Sequence, residues 1–418
     1  MDSPRQRKIT SAQVLSLLLL VLCGAGCRLN LPGTHDLPPG VRKIAGVFHD
    51  LDPRFSPDGR RIAFYRETAD RRLQLMLTDP TLHRPVAMLQ PELLEPDKGF
   101  DTDRCSWRAP ESLAWSPNSR YLLIPRPEWY KFPDGERLPG TGIWLLDLKS
   151  GALKPVAIHP RKYANIFYTY RSQSWSPDGK YFAFIGQGID GETALYVVPF
   201  WAEPPRKVVP RFDRYEATDW PVWSKAAPDR LVYRQGILRG PTADPIETLR
   251  LLEPGGAAHG AIFAMTPSRF RPLLHRAPTG GILPRITAPQ WSPDGRWIAF
   301  ALSPNSLNPE ISEIWIVREN GSGARRVSPP DGRGYLCPEW LSDDRLAALR
   351  PDKGGYDVVE IGRNGQTEVI GRIGSTDFDF SPDGRSVVYA DPGSVPPGRK
   401  TGLTLVHLKA MNRIPALR

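Results

Sequence analysis

Short apolar segments, most of them closed by an aromatic residue, recur along the chain from about residue 60 onward. Representative segments are Ile62-Ala63-Phe64, Phe182-Ala183-Phe184 and Ile298-Ala299-Phe300. Such runs are too short for helices of ordinary length and are typical of buried β-strands. Proline makes up 45 of the 418 residues, about twice the usual share, and proline breaks long helices. The pattern predicts an all-β protein.

One motif precedes these apolar segments. It consists of an aromatic residue, Ser-Pro-Asp-Gly and a basic residue, as in the stretch from Trp175 to Lys180. Ser favours the first position of a type I turn, Pro presets φ at the second, Asp tolerates the third and Gly is favoured at the fourth. The motif therefore predicts a tight hairpin turn. Its aromatic residue occurs at Phe55, Trp115, Trp175, Trp223, Trp291, Trp340 and Phe380.

The copies at Trp223 and Trp340 are less regular, but both keep the turn chemistry and the apolar strand that follows. Each copy is followed by a third predicted strand, at residues 73–77, 143–148, 194–198, 248–252, 313–317, 356–361 and 403–408. A fourth strand follows a polar turn, at residues 85–89, 154–158, 207–209, 325–327 and 368–370. Seven repeats of four antiparallel strands predict a seven-bladed β-propeller. Residues 41–47 are expected to lend a strand to the last blade and close the ring.

The Ser-Pro-Asp-Gly hairpins and their flanking strands resemble the repeats of TolB-like β-propellers. The resemblance runs from about Arg42 to the C-terminus and implies the propeller fold. It implies little about function, because many activities are found on propellers. TolB carries an α/β domain before its propeller, whereas here only a short segment precedes the first blade. The chain therefore resembles that family in its repeats and not in its N-terminal part.

The N-terminus reads as a secretory signal over residues 1–26, with a basic start, a short apolar run and the small residues Gly24-Ala25-Gly26. The following Cys27 gives the segment the end of a bacterial lipoprotein signal. That resemblance implies lipidation of Cys27, although Gly24 stands where the family usually has Leu. Ordinary cleavage after Ala25 is the alternative. Residues 27–40 would form a lipidated tether, and residues 41–418 the propeller, in the periplasm or outer envelope.

Charge and cysteine content add little to this picture. The formal net charge is +10, but the basic residues are scattered, which favours a solvated basic surface. Export argues against nucleic acid as a partner. Cys105 and Cys337 could form a disulfide in an oxidising compartment or remain as buried thiols.

The predicted loops make the two faces of the propeller unequal. One face carries the tight Ser-Pro-Asp-Gly turns, and the other carries long insertions, among them residues 126–142 and 159–171. Long loops on a rigid scaffold often bind ligands, and aromatic and Arg side chains are frequent interface anchors. The candidate binding residues are Trp129, Tyr130, Phe132, Tyr163, Tyr168, Tyr170 and Arg171. The alternative is that these aromatic residues pack the insertions onto the blades.

The sequence offers little sign of catalysis. It contains no Gly-x-Ser-x-Gly elbow, no His-Glu-x-x-His, no paired Cys-x-x-Cys and no phosphate or dinucleotide loop. His49, His159 and His275 are expected in loops between blades, and the repeats also resemble those of seven-bladed lyases that hold a metal through histidines. Isolated histidines are more often surface residues. No cofactor is therefore expected.

These features favour a non-enzymatic binding or scaffold protein. A lipid anchor would hold it to an envelope membrane, and its loop-rich face would bind a protein, a peptide or a glycan. The alternative function is a metal-dependent polysaccharide lyase or another envelope enzyme on the same propeller.

Overall fold

The computed structural model describes the residues of the propeller strands and their shorter turns. These are residues 40–44, 49–69, 72–94, 113–131, 137–155, 170–187, 193–200, 206–207, 216–237, 246–253, 258–265, 285–303, 311–390 and 402–409. The chain divides into Met1–Pro39 and Gly40–Arg418, and all described residues belong to the second unit. Within the described segments, no helix has the length and hydropathy needed to span a membrane.

The described strands form seven four-stranded antiparallel sheets, which confirms the predicted seven-bladed β-propeller. The chain begins with β1 (Val41–Lys43). Blade 1 contains β2 (His49–Phe55), β3 (Ile62–Glu67), β4 (Leu73–Thr78) and β5 (Val86–Leu89), followed by the short helix α1 (Pro91–Leu94). Blade 2 contains β6 (Ala114–Trp115), β7 (Tyr121–Lys131), β8 (Arg137–Asp147) and β9 (Leu153–Pro155). Blade 3 contains β10 (Tyr170–Trp175), β11 (Tyr181–Gln187), β12 (Thr193–Pro199) and β13 (Arg206–Lys207).

The remaining blades follow the same order. Blade 4 contains β14 (Glu216–Trp223), β15 (Leu231–Ile237), β16 (Ile246–Leu252) and β17 (Ala258–Met265). Blade 5 contains β18 (Arg285–Trp291), β19 (Trp297–Ser303), β20 (Glu313–Arg318) and β21 (Arg325–Arg326). Blade 6 contains β22 (Leu336–Ser342), β23 (Arg345–Asp352), β24 (Gly355–Gly362) and β25 (Thr367–Ile373). Blade 7 contains β26 (Phe378–Phe380), β27 (Ser386–Ala390) and β28 (Leu403–His407), with β1 as its fourth strand.

The repeated turn is built around the serine side chain. In blade 3, the N–H of Gly179 donates to the carbonyl of Ser176 at 2.9 Å, as a type I turn requires, and Gly179 has φ +71°. The Ser176 hydroxyl donates to Oδ1 of Asp178 at 2.7 Å and accepts the N–H of Tyr181 at 2.9 Å. Ser176 is fully buried, so its side chain ties the turn to the start of the second strand.

The motif tryptophans join neighbouring blades. The indole N–H of Trp175 donates to the carbonyl of Ala114 in the preceding blade at 3.3 Å, and that of Trp223 donates to Ser174 at 3.0 Å. Equivalent bonds run from Trp115, Trp291 and Trp340. The aromatic residues of blades 1 and 7 are Phe55 and Phe380, which have no side-chain donor. The seams on both sides of blade 7 therefore lack this bond.

The hydrophobic core lies between the blades. The buried residues form seven clusters, and each of them combines side chains from two adjacent blades. The cluster between blades 7 and 1 includes Ile44, Phe55, Leu403 and Leu405. Each blade thus buries both of its faces, which explains the almost continuous apolar character of the second strands.

The ring is closed by β1. Val41 pairs with Val406 and Lys43 pairs with Thr404 in antiparallel register. The N–H of Ile44 donates to Leu403 at 3.0 Å, and that of His407 donates to Gly40 at 2.9 Å. The N-terminal strand thus becomes the outer strand of the last blade, within the range that the sequence predicted.

Two segments differ from the sequence-based expectation. The predicted insertion at residues 126–142 is largely a hairpin, because β7 and β8 stay paired from Tyr121 and Asp147 out to Lys131 and Arg137. In blade 4 the fourth strand is β17, which the sequence analysis did not predict.

Candidate functional site

The described residues enclose a pocket of about 570 Å³ at the centre of the ring. It lies at the end of the channel where the Ser-Pro-Asp-Gly turns meet, since Pro57, Pro117 and Pro177 line its mouth. The first strand of every blade, or the residues just before it, contributes to the wall. The pocket therefore exists only because the ring is closed.

Irregular backbone in the first strands shapes this wall. The pairing of first and second strands shifts between Leu51 and Arg54, and equivalent shifts occur in blades 3, 4, 5 and 6. At the same point, three residues before the aromatic, Asp52, Ala288 and Cys337 have φ values of +51°, +48° and +48°. Bulges of this kind re-aim side chains. Ala288 and Cys337 both line the pocket.

The wall is apolar on one side. Blades 2, 3 and 4 contribute Leu113, Trp115, Trp175, Pro221 and Trp223. The indole N–H groups of Trp115, Trp175 and Trp223 already donate to carbonyls of the preceding blades. The parts of these rings that face the pocket are therefore apolar. This side suits aliphatic or aromatic groups.

The opposite side of the wall carries carboxylates. Asp379 of blade 7 accepts the backbone N–H of Phe55 at 2.7 Å. Burial raises its pKa to about 7, although the positive charge of Arg54 opposes this shift. Arg54 itself donates to the carbonyl of Phe378 at 2.8 Å and pairs with Asp52 at 2.7 Å. These contacts join blade 7 to blade 1 at a seam that lacks a tryptophan.

A pair of acids, Asp52 and Asp377, lies beside this seam. Asp52 is buried, accepts the N–H of Leu113 at 2.9 Å, and its own N–H donates to Asp377 at 2.9 Å. Burial and the negative charge of Asp52 raise the pKa of Asp377 to about 6. The other oxygen of Asp377, Oδ1, is buried and has no hydrogen-bond partner among the described residues.

Glu339 of blade 6 completes the acidic side. Burial raises the pKa of its carboxyl group, while Lys225 opposes this from 3.9 Å. Lys225 is 65% exposed, so its charge is well screened by water. The carboxylates outnumber the cations that face them, and an added positive charge would favour their ionised forms. The pocket can therefore bind a cationic group next to an apolar one.

The structure places the predicted loop-face residues only in part. The backbones of Trp129 and Tyr130 lie in β7, opposite Pro139 and Leu138, and those of Tyr170 and Arg171 lie in β10. Their side chains are not described. Phe132, Tyr163 and Tyr168 lie outside the described residues, as do Cys27 and Cys105. This set of binding residues stays a prediction.

The metal alternative rests on histidines that are only partly described. His49 is the first residue of β2 rather than part of a loop, and its Nδ1 bonds the carboxylate of Glu67. His159 and His275 lie outside the described residues. Among the described residues, no three His, Cys, Asp or Glu side chains are placed to hold a metal ion together.

Sequence reasoning did not find the carboxylates of the channel. Glu339 and Asp379 line the pocket and Asp52 lies beside it, but the three residues are far apart in the chain. Their position in the repeat could have indicated that they line the channel, because Glu339 and Asp379 stand immediately before the motif aromatics Trp340 and Phe380. That position lines the channel in every blade.

Comparison with known proteins identifies the architecture. No model of a known protein family matches the sequence. An uncharacterised protein of Agrobacterium fabrum is 25% identical over 266 residues, which cover 61% of this chain and 71% of that protein.

Solved structures similar to this chain include both peptidase and TolB propellers. The β-propeller domain of the trilobed protease from Pyrococcus furiosus, which has an open velcro topology, is 14% identical at a TM-score of 0.52 and covers 88% of this chain and 96% of that domain. The acylaminoacyl peptidase of Pyrococcus horikoshii is 13% identical at a TM-score of 0.53 and covers 88% of this chain but 52% of the peptidase. TolB from Acinetobacter baumannii is 15% identical at a TM-score of 0.42 and covers 74% of this chain and 62% of TolB.

At these identities the similarities concern the fold and carry no activity with them. The similarity to TolB, with its lower TM-score, supports no further argument. The comparisons and the sheet order together identify this chain as a seven-bladed β-propeller.

Proposed function

We propose that this chain is a non-enzymatic binding protein of the cell envelope, and that a peptide segment of a protein partner inserts into its channel pocket. In this proposal, a lipid on Cys27 holds the protein to the membrane. The observation that carries the proposal is the pairing of an apolar wall with an incompletely neutralised acidic wall inside one pocket. The main contact region in this proposal is the described channel, and the loop-rich face is a second one.

The size and chemistry of the pocket support a peptide. A volume of about 570 Å³ falls within the range of ligand sites and holds a few side chains. Trp and Pro surfaces on one side suit an aliphatic or aromatic side chain. A Lys, an Arg or a free N-terminus would add positive charge beside Asp379 and Glu339, which Arg54 and the exposed Lys225 neutralise only in part.

The proposed contacts depend on pH. Asp379 has a pKa of about 7, so it is mostly protonated below that pH and ionised above it. A bound cation pairs with the ionised form. Affinity for a basic peptide should therefore rise as the pH increases from about 6 to about 8.

A peptide array tests this proposal. The full-length chain is applied at pH 8 to immobilised synthetic peptides of random sequence, and the bound sequences are read out. We expect enrichment of peptides in which a basic residue neighbours an aliphatic or aromatic one. Asp379→Asn should weaken binding to the selected peptides by about tenfold or more, as for loss of a buried charge pair.

Asp229→Asn provides the matched control. Asp229 is an exposed acid in the turn of blade 4, on the same face but outside the pocket. The control should bind like the unmodified chain. The proposal is wrong if no peptides are selected, or if Asp379→Asn and Asp229→Asn have the same effect.

The loop-face candidates remain part of the proposal as a second contact region. Trp129, Tyr130, Tyr170 and Arg171 stand on strands or hairpins that extend toward the opposite face. They would contact a folded partner or a glycan independently of the channel.

A further inference from the structure

Three arginines surround one tryptophan on the turn face of blades 5 and 6. The guanidinium carbons of Arg318, Arg325 and Arg363 lie 4.9, 5.9 and 5.8 Å from the ring centre of Trp297. Because all three carbons lie close to the same ring centre, the distance between any two of them is at most the sum of their distances from that centre. Trp297 itself is buried, with 9% of its surface exposed. The ring thus acts as a platform that gathers three positive charges.

The strand order places this cluster firmly on the turn face. Trp297 begins β19, directly after a Ser-Pro-Asp-Gly turn, and Arg318 ends β20 opposite it. Arg325 begins β21, and its guanidinium donates to the carbonyl of Arg363 at 2.8 Å. That bond crosses from blade 5 to blade 6 and ties the Arg325 side chain to the backbone of Arg363.

The positive charge of the cluster is only partly neutralised. Within the described part of the chain, none of the three arginines lies within ion-pair distance of a carboxylate. Arg363 contributes to lowering the pKa of Asp294 and Asp344, so these two carboxylates face it from a longer distance. The nearby Glu319 pairs instead with Arg230. Three guanidinium groups therefore lie around one ring without a direct ion pair among the described residues, while Asp294 and Asp344 offset part of their charge from a longer distance.

Such an arrangement matches a multivalent oxyanion. Guanidinium groups bind phosphate through paired, charge-assisted hydrogen bonds, and a phosphate group offers several acceptor oxygens at once. Cation–π contact with Trp297 keeps the guanidinium groups oriented while their N–H groups remain available. We infer that the cluster of Arg318, Arg325 and Arg363 is a binding site for a phosphate group.

The phosphate could come from a lipid headgroup or from a soluble ligand. The described chain begins at Gly40 on this same face, since Gly40 precedes the end of β1 that pairs with the turn-face end of β28. The inference uses residues outside the channel, so it can succeed or fail independently of the proposed function.

Vesicle binding separates these sources. The full-length chain carrying Cys27→Ser, which cannot be lipidated, is mixed with vesicles of phosphatidylcholine alone or with added phosphatidylglycerol, and sedimented. Binding of inorganic phosphate is measured in parallel by calorimetry. We expect at least one of the two phosphate sources to bind. Changing both Arg318→Gln and Arg325→Gln should weaken that binding by about tenfold or more.

Arg60→Gln with Arg385→Gln is the matched control. Both residues are exposed arginines on the same face, in blades 1 and 7. This control removes the same net charge and should bind like the parent chain. Arg318→Lys with Arg325→Lys keeps the charge, loses the paired geometry and should bind at an intermediate level. Melting curves of each variant establish that it is folded.

The outcomes decide the question. Binding that the double Gln variant loses and the control keeps supports the site. If it is seen with inorganic phosphate alone it identifies a soluble ligand, and if it is seen with phosphatidylglycerol vesicles it identifies a headgroup. The inference is overturned if neither source binds, or if the control loses as much affinity as the double Gln variant.

Discussion

At the scale of single residues, the acids of the repeated turns and the acids beside the seam between blades 7 and 1 lie in different environments. Most acids in the repeated turns accept hydrogen bonds from Ser and backbone N–H groups, and the pKa values of Asp58, Asp178, Asp294 and Asp383 are lowered. Asp377 and Asp379 show the opposite shift, to about 6 and about 7. The two groups of acids therefore make the free energy of unfolding change with pH in opposite directions.

This contrast predicts how stability depends on pH. Asp379 holds its proton more tightly in the folded state, because its pKa rises from 3.8 to about 7. The unfolded chain then binds fewer protons between those values, so the free energy of unfolding falls as pH rises through that range. The turn acids have lowered pKa values, and their stabilising effect is already complete above their ordinary pKa of about 3.8.

Asp379→Asn should reduce this pH-dependent fall in the free energy of unfolding by about 1 to 3 kcal/mol. The effect is smaller than a pKa shift from 3.8 to about 7 would give in a dry site, because the channel admits water. The amide oxygen can still accept the N–H of Phe55. Urea denaturation at a series of pH values between 4 and 8 measures the effect. A slope unchanged by the substitution would contradict the assigned environment of Asp379.

At the scale of elements, the Ser-Pro-Asp-Gly turn is repeated, but its surroundings differ between blades. Gly179 and Gly295 have nearly the same φ, +71° and +70°. A Cβ atom at Gly179 would have Pro117 Cδ as its nearest neighbour, at 3.9 Å. At Gly295 it would lie 2.8 Å from Ala226 Cβ and 3.0 Å from Ser224 Oγ. The less regular turn of blade 4 therefore packs against the turn of blade 5.

Alanine at these two positions should have unequal effects. Gly179→Ala should cost about 1 kcal/mol, because a left-handed conformation disfavours any Cβ. Gly295→Ala should cost about 1 to 3 kcal/mol more, because the added methyl group also meets atoms of the adjacent blade. Thermal and urea unfolding of the two variants measure the difference. Equal losses would show that the blade 4 turn moves aside freely.

The elements also show what sequence could and could not predict. The turns, the second strands and the number of blades follow from local chemistry, since Ser, Pro, Asp and Gly each favour one turn position. The bulges at Asp52, Ala288 and Cys337 contain no glycine at these positions, so the residue types do not indicate that φ is positive there. The carboxylates gather only when the ring closes, and a pattern of neighbouring residues cannot reveal contacts between Asp52 and Asp377.

At the scale of the whole molecule, the seams on both sides of blade 7 are built differently from the others. Five motif tryptophans bond to the preceding blade, whereas Phe55 and Phe380 cannot. The seam with blade 1 is held by Arg54, Asp379 and the packing of Ile44 instead. The strand β1 is therefore central to the integrity of the ring.

Ile44→Ala tests this dependence. Ile44 is 4% exposed and packs in the cluster between blades 7 and 1. Its truncation should lower the free energy of unfolding by about 2 to 4 kcal/mol, as for other buried Ile residues. Val369→Ala is the control, because Val369 is 43% exposed in the outer strand β25 and should change stability by less than about 0.5 kcal/mol. Equal shifts of the unfolding midpoint in the two variants would show that the closure contributes little.

The pairing of Val41 with Val406 also fixes the order in which the molecule can be completed during synthesis. Strand β1 leaves the ribosome before all other described strands, whereas its partner β28 leaves after the other six blades are complete. All strands of the first six blades are synthesised before β28. Until β28 is available, the backbone groups of β1 that pair with it have no strand partner. Joining strands so distant in sequence is slow, because the entropy of closing the intervening chain is lost before the contacts form. Closure of the ring by β1 and β28 is therefore expected late in folding, and the complete set of first strands around the pocket is held in place only after it.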